Sequence, residues 1–403
     1  MSFVSQRFVS QRFVSRSFSR KISGAVLAGC LMAFAAVANA QTPADEFVSE
    51  KTFFRTNING KNVRLEGFIV KRADLTGPLP IALITHGKSA NLTDMLALRG
   101  SDYGPYARDL ARRGYLSVVV IRRGFGQSDG PLPVNVTCDT KTFNDFFSAD
   151  ADDLQGALEI AAKRPDADPQ RAIAIGVSAG GAAVMALAAR NPKNLRGVIN
   201  VSGGLQTPDC PKEDVLVNAF KSYGIASRIP SIWIYAKNDS LFGPALVERM
   251  QSAYLDGGGD VKLVMFDKHG NDGHQIFAEA GGRVKWLMEM DAFLTFHDLP
   301  STKRDRSDEL MKQLKLSDRS RNFVDQYLAA PTFKVMVQTP DGQNYMTQFG
   351  AATLDLARSA ALDNCRTRHK TAEPCKVIME NDTWVGPTAP ERVAAAPAEK
   401  TVR

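Results

Sequence analysis

The sequence RAIAIGVSAGGAAVMALAAR, residues 171–190, decides the fold of this chain. Its first part alternates alanine with β-branched isoleucine, which is typical of a buried strand, and its last part consists of strong helix formers. Ser178 stands at the bend between them, with Gly176 and Gly180 two residues away on either side. The pattern predicts a strand, a sharp turn and a helix, with the serine hydroxyl presented above a sheet.

A Gly-x-Ser-x-Gly match is by itself only a hypothesis, because short motifs arise by chance. Its placement between a predicted strand and a predicted helix favours a nucleophilic serine over a chance match of the motif. The amide of Ala179 lies at the predicted helix N-terminus, where it would point toward a developing oxyanion. We therefore expect Ser178 to be a nucleophile.

A serine nucleophile needs a general base, and the chain contains five histidines. His274 lies in a loop between the last predicted strand of the sheet and a long helix, at the carboxyl edge where parallel sheets bind ligands. His269 is the alternative in the same loop, but it follows the strand immediately and has less reach. We predict His274 as the base.

The base needs an acid to orient it, and Asp239 directly follows its own predicted strand. Its alternative role is a helix N-cap, a common duty of aspartate. Asp272 and Asp267 lie nearer to the histidine in sequence. We favour Asp239 because the order serine, acid, histidine, with the acid after its own strand, is the one this type of site requires.

Near-continuous apolar runs alternate with helical segments, which predicts an α/β fold with a doubly wound, mostly parallel sheet. A hairpin at residues 53–71, around Asn59-Gly60, should form its edge. Residues 203–229 lack sheet character and are predicted to form a small cap above the site. The Gly-rich loop at residues 122–130 lacks the lysine and spacing of a phosphate cradle, which argues against nucleotide binding.

The first 40 residues resemble a secretory signal peptide. They carry five cations and no acid, followed by an apolar run over residues 22–37 and a small-x-small site at residues 38–40. The run is short for a membrane span, so no stable span is expected after processing. Two alternatives rank lower: a lipoprotein signal with Cys30 as the lipidated residue, and an organellar transit peptide. We expect a periplasmic or secreted protein.

Without that segment, the chain's 50 basic and 43 acidic residues become 45 and 43, a net charge near +2. Such a balance gives no support to nucleic-acid or anionic-membrane binding. The remaining 363 residues exceed one ordinary domain. We predict a core domain at residues 41–298, a small α+β module at 299–385 and a disordered tail at 386–403.

Four cysteines remain after residue 40, an even number that favours disulfides in an exported protein. We expect Cys138 to pair with Cys210 and Cys365 with Cys375, because each pair then links neighbouring segments. Four free thiols are the alternative. No metal-ligand spacing or redox Cys-x-x-Cys motif occurs, so neither a metal nor another cofactor is predicted.

Residues 52–296 resemble the α/β-hydrolase superfamily, and within it the dienelactone-hydrolase-like and serine-esterase branch. The motifs that carry the resemblance are His86-Gly87, residues 123–130, residues 176–181, Asn238-Asp239 and Asp272-Gly273-His274. The resemblance implies a triad of Ser178, Asp239 and His274, with the amides of Lys88 and Ala179 as the oxyanion hole. Dienelactone hydrolases proper use a cysteine nucleophile, so the serine favours ordinary ester, or short-peptide, hydrolysis.

The C-terminal module gives no sequence signal for a function of its own. Residues 308–328 predict a helical stretch, residues 333–337 a strand, and residues 351–368 a helix.

Two hypotheses follow for the whole chain. One is an exported serine hydrolase acting on small-molecule esters or short peptides, and the other is a non-catalytic envelope binding protein that uses the fold as a scaffold.

Overall fold

A computed structural model describes residues 46–131, 138–206, 213–301, 304–370 and 373–386. From Asp45 onward the chain forms one compact unit. The predicted signal peptide lies outside the described residues, as does the predicted tail beyond Gly386. Both therefore stay predictions.

A large sheet of eight strands forms the centre of this unit. Its strands are β1 Phe47–Ile58, β2 Lys61–Arg72, β3 Leu79–Thr85, β4 Leu116–Val120, β5 Ala167–Val177, β6 Leu195–Val201, β7 Ser231–Ala236 and β8 Val261–Phe266. They lie in the order β1-β2-β4-β3-β5-β6-β7-β8. β2 is antiparallel to β1 and β4, and the remaining pairs are parallel. This confirms the mostly parallel sheet and its edge hairpin.

Helices cover both faces of the sheet. They are α1 Leu92–Ala97, α2 Gly104–Arg112, α3 Thr140–Ala161, α4 Ala179–Ala188, α5 Glu213–Ala226, α6 Pro244–Asp256 and α7 Ala280–Phe296. Side chains of β7 alternate between the faces: Trp233 and Tyr235 pack with α3 to α6, whereas Ile232 and Ile234 pack with α2 and α7. The sheet is thus doubly wound, as predicted.

The predicted cap over residues 203–229 is wrong where the structure describes it. α5 packs on the sheet instead, with the ring of Phe220 4.9 Å from that of Trp233. Val215, Leu216, Ala219 and Phe220 are all buried in the main core. Their helical spacing marks one apolar face, and a right-handed crossover between the parallel strands β6 and β7 requires an element in this place.

A smaller antiparallel sheet follows toward the C-terminus. Its strands, in the order β10-β9-β11-β12, are β9 Val335–Gln338, β10 Tyr345–Gln348, β11 Lys376–Glu380 and β12 Thr383–Trp384. The helices of this region are α8 Arg304–Gln313, α9 Arg321–Ala329 and α10 Leu354–His369. The single helical stretch predicted at residues 308–328 is therefore two helices, because Lys315 adopts a left-handed φ of 55° that ends the first.

A disulfide links Cys365 of α10 to Cys375, ten residues later, as predicted. The other predicted partner, Cys210, lies outside the described residues, so the pairing of Cys138 with Cys210 stays a prediction. None of the helices within the described ranges is long and apolar enough to cross a membrane.

Buried polar contacts join the C-terminal region to the large sheet's helices. Asp109 of α2 is fully buried, receives the guanidinium of Arg283 from α7, and accepts the amide of Thr332 at 3.1 Å. Arg113, directly after α2, binds both carboxylate oxygens of Asp291 in α7 at 2.6 and 2.7 Å, and its guanidinium also donates to Ala329 O of α9 at 3.5 Å. The predicted domain boundary near residue 298 is thus crossed by buried hydrogen bonds.

Candidate active site

Ser178 stands between β5 and α4 in a strained backbone conformation, with φ 55° and ψ −125°. A non-glycine residue adopts such angles only where its surroundings enforce them. The neighbouring glycines are required, because a Cβ on Gly176 would collide with the carbonyl of Gly180, and one on Gly180 with the carbonyl of His86. The bend predicted from the sequence is present, and the hydroxyl of Ser178 lies at the carboxyl end of the sheet.

His274 approaches this hydroxyl from the segment after β8. Its Nε2 lies 3.2 Å from Ser178 Oγ, within the range of a loose hydrogen bond. The ring is held by a short 3-10 turn, Gly273–Phe277, which Asp272 caps by accepting the amide of His274 at 2.9 Å. The imidazole is 13% exposed, so it faces both the serine and the solvent.

Asp239 follows β7 and lies on the far side of the imidazole. Both of its carboxylate oxygens are 3.1 Å from His274 Nδ1. Its Oδ1 also accepts the amides of Leu241 and Phe242, at 2.9 and 3.0 Å. Since a carboxylate can only accept here, Nδ1 carries the proton and Nε2 is left to accept one from Ser178. The structure therefore brings the three predicted side chains together in one line.

The rival residues take other roles. His269 is buried with its Nε2 2.8 Å from the carboxylate of Glu279, and Asp267 is 92% exposed beside Lys237. Asp272 accepts the amide and hydroxyl of Ser240 besides capping the turn. Burial raises the pKa of Asp272, but these hydrogen bonds outweigh it and lower the pKa overall.

The loop after β3 lies against the serine. A Cβ on Gly87 would come within 3.2 Å of Ser178 Cβ, a tight contact that would press on the serine. Lys88 is the next residue, and Ala179 begins α4. Within the described part of the chain, the amides of Lys88 and Ala179 donate to no protein acceptor. Two free N–H groups therefore stand beside the nucleophile.

Sequence reasoning gave no role to His86 and Arg122, which hold this loop in place. Burial lowers the pKa of His86 well below its ordinary value, so the ring is neutral. His86 Nδ1 donates to Gly87 O at 2.7 Å, and Nε2 accepts the amide of Arg122 at 3.0 Å. The guanidinium of Arg122, fully buried, donates to His86 O at 2.6 Å and lies 3.1 Å from Asp150. The one sequence signal for this network is the position of Arg122, directly after an apolar run.

Among the described residues, no group of three or more histidine, cysteine, aspartate or glutamate side chains could hold a metal ion.

Comparison with known proteins gives a partial match in sequence. A family model described as "Serine aminopeptidase, S33" matches residues 98–252. A protein named "Putative esterase NocK", from Nocardia uniformis subsp. tsuyamanensis, is 33% identical over 129 residues, which are 32% of this chain and 34% of that protein. The match thus spans about a third of this relative's length.

Solved structures align over a larger share of the chain at low identity. One described as "Putative Dienelactone Hydrolase", from Klebsiella pneumoniae subsp. pneumoniae MGH 78578, is 18% identical with a TM-score of 0.46, over 62% of this chain and 98% of the other. An acylaminoacyl peptidase from Pyrococcus horikoshii is 17% identical with a TM-score of 0.45, over 64% and 43%.

The order and directions of the eight strands carry the assignment of the fold. They give the chain an α/β-hydrolase fold, and the partial matches to the family model and to the relative named as an esterase agree with it.

Proposed function

We propose that this protein is a serine hydrolase that cleaves carboxylic esters of small molecules through an acyl-enzyme on Ser178. The observation that carries the proposal is the line from Ser178 Oγ through His274 to the buried Asp239, with contacts of 3.2 and 3.1 Å. A scaffold that only binds would have no need for a strained serine, a base and a buried acid in one line.

In the first step, Ser178 Oγ attacks the ester carbonyl carbon and His274 Nε2 takes the hydroxyl proton. Asp239 holds the imidazole through Nδ1 and stabilises the charge that the ring gains. The carbonyl oxygen becomes an oxyanion, which the amides of Lys88 and Ala179 would receive. The tetrahedral intermediate collapses, the alkoxide takes the proton from Nε2, and an alcohol leaves.

In the second step, a water molecule attacks the acyl carbon while His274 Nε2 accepts one of its protons. A second tetrahedral intermediate forms against the same two amides. Its collapse breaks the bond to Ser178, whose oxygen recovers the proton from His274. The carboxylic acid is released, and the protein returns to its starting state.

Hydrolysis of short peptides or amides is the second candidate. It is favoured by the description of the matched family model as a serine aminopeptidase. The same residues would serve, but the leaving amine must be protonated by His274 for the C–N bond to break. An aryl ester and an aryl amide with the same acyl group distinguish ester from amide hydrolysis. The two substrates differ only in the leaving-group atom, which is oxygen in the ester and nitrogen in the amide.

The test is labelling of the protein, expressed without residues 1–40, by a fluorophosphonate probe. Ser178→Ala should abolish both labelling and ester turnover. Ser222→Ala is the matched control, since Ser222 lies on α5 and its hydroxyl donates to the carbonyl of Asn218. A folded wild-type protein that neither reacts with the probe nor hydrolyses esters contradicts the proposal and favours the non-catalytic binding protein.

We also propose that the protein is exported to the periplasm or secreted. The N-terminal pattern and the disulfide between Cys365 and Cys375 support this, since disulfides persist in oxidising compartments. Mass analysis of the protein from the expressing cell's envelope or medium should give an N-terminus at Gln41. An N-terminus at Met1, or a lipid on Cys30, would contradict cleavage after Ala40.

A further inference from the structure

A cavity of about 400 Å³ lies between the helices of the large sheet and the C-terminal region. None of the candidate active-site residues lines this cavity. Four arginines line it: Arg72 at the end of β2, Arg112 and Arg113 at the end of α2, and Arg306 of α8. Asp382, in the turn before β12, is the acidic residue in the lining.

Two of these arginines are matched by carboxylates of their own. Arg113 binds Asp291 through two hydrogen bonds, and Arg72 binds Asp74 in the same two-pronged way. Their charges are thus balanced within the protein.

The other two arginines share one carboxylate. Asp382 lies 3.6 Å from Arg112 Nη1 and 3.7 Å from Arg306 Nη1, both longer than a hydrogen bond. The same carboxylate also binds the buried ammonium of Lys334 at 2.9 Å. Glu46 adds one contact of 3.4 Å to Arg112. Three cations therefore face two carboxylates, and the cluster has an excess of positive charge.

Arg112 carries the clearest sign of a missing partner. Its side chain is 4% exposed, yet its Nε and Nη1 groups donate no hydrogen bond to any described residue. Buried guanidinium N–H groups without acceptors are costly, because they have lost water and gained nothing in exchange. The cavity that Arg112 lines is where an acceptor can be placed.

Arg112 and Arg113 also repel the buried ammonium of Lys334. Burial, followed by repulsion from Arg112 and Arg113, lowers the pKa of Lys334 to about 8 despite its contact with Asp382. An added negative charge in the cavity would offset this repulsion.

We propose that this cavity is a binding site for a small oxyanion, of the phosphate or carboxylate class, held by Arg112 and Arg306 with Arg72 at the rim. Guanidinium groups suit both classes, because their paired N–H groups match two oxygens of a phosphate or carboxylate. The lining comes from β2, α2, α8 and the turn before β12, so the anion would join the C-terminal region to the large sheet's helices.

The experiment measures binding of inorganic phosphate and of citrate by calorimetry, at constant ionic strength, with the melting temperature as a second readout. Arg306→Gln is the test variant, since its side chain is 39% exposed and its loss should leave the fold intact. Arg249→Gln is the matched control: it removes one arginine of α6 that is 46% exposed and ion-paired elsewhere.

We expect phosphate or citrate to bind and to raise the melting temperature of the wild type and of Arg249→Gln. Arg306→Gln should weaken this binding about tenfold or more, as loss of a charge-assisted pair does. The anion that binds more tightly identifies the class. Absence of binding for both anions at about 10 mM, or equal binding by Arg306→Gln, would overturn the proposal. Neither result depends on hydrolysis, so the proposal can fail while the proposed function stands.

Discussion

At the bend after β5, the space available to one methyl group decides whether the serine can be presented. A Cβ on Gly176 would overlap the backbone carbonyl of Gly180, which cannot move without shifting α4. We therefore expect Gly176→Ala to destabilise the protein by about 1–3 kcal/mol, as overpacking does. It should also lower ester turnover by about a hundredfold, since a displacement of about 1 Å at a nucleophile has that effect.

The matched control for this substitution is Gly281→Ala in α7. A Cβ there meets no atom within 4 Å, and alanine in a helix is favoured over glycine by about 1 kcal/mol. Urea unfolding and aryl ester hydrolysis should show this variant equal to the wild type or more stable. Equal behaviour of the two variants would mean that the bend tolerates a side chain.

His86 gives a pH dependence of stability whose sign follows from its environment. Its pKa is lowered in the folded state, so below about pH 6.5 the unfolded chain binds more protons and stability falls with the pH. One such group changes the free energy of unfolding by about 1.4 kcal/mol per pH unit at most. Asparagine at this position can still donate to Gly87 O but does not titrate.

Urea unfolding at pH 7.5 and pH 5.0 measures this dependence. We expect His86→Asn to be less stable than the wild type at pH 7.5, but to lose less on acidification, by up to about 2 kcal/mol. His369→Asn, at an exposed position on α10, should keep the slope of the wild type. Identical slopes for the wild type and His86→Asn would show that His86 does not stay neutral in the folded protein.

The sequence was sufficient to predict that Ser178, Asp239 and His274 lie together, because chain order and strand ends determine which loops meet. It was not sufficient for His86 and Arg122. Their partners are a neighbouring loop's carbonyl and Asp150 of α3, contacts that no local pattern encodes. The role of a buried polar residue depends on which other residues the fold brings to it.

Among the elements, α2 is joined to α7 and to the segment after α9 through one buried carboxylate, Asp109. Removing it in Asp109→Ala leaves the guanidinium of Arg283 buried without its partner and the amide of Thr332 without an acceptor. We expect a loss of about 3–5 kcal/mol in the free energy of unfolding.

Asp109→Asn is the informative comparison for this prediction, since its amide oxygen can still accept the amide of Thr332. It should be destabilised less than Asp109→Ala, and both should be measured by urea unfolding. Asp74→Ala serves as the control, because Asp74 is 60% exposed and its pair with Arg72 is largely solvated. If Asp109→Ala lowers the free energy of unfolding no more than Asp74→Ala does, the contacts of Asp109 with Arg283 and Thr332 are not important for stability.

Elements with strong periodicity could be located from the sequence, and those that depend on tertiary packing could not. β6 lies inside the sheet and is buried apart from Arg196, so its mostly apolar sequence predicts a strand. Residues 203–229 lack sheet character, which favoured a cap, although the apolar residues of α5 within this range have helical spacing. The break after α8 coincides with the left-handed backbone of Lys315. No residue type at this position requires such a backbone, so the sequence did not predict the break.

For the whole molecule, the open question is whether residues 41–298 fold without the C-terminal region. Ala329 belongs to the apolar cluster beneath α7, and the guanidinium of Arg112 lies against Asp382, so the two regions share both apolar and polar contacts. A chain ending at Pro300 would leave Asp109 without the amide of Thr332 and Arg112 without the carboxylate of Asp382. We expect its melting temperature to be lower by about 5 °C or more, since each kcal/mol shifts a large domain by a few degrees.

A chain ending at Gly386 is the matched control, because it keeps every contact named here and removes only the tail. Both shortened chains should be compared with residues 41–403 by thermal unfolding and by fluorophosphonate labelling. A lower melting temperature for the chain ending at Pro300 alone would mean that the C-terminal region is a structural part of the hydrolase. An unchanged melting temperature and full labelling would instead establish the predicted boundary near residue 298 as one between independent domains.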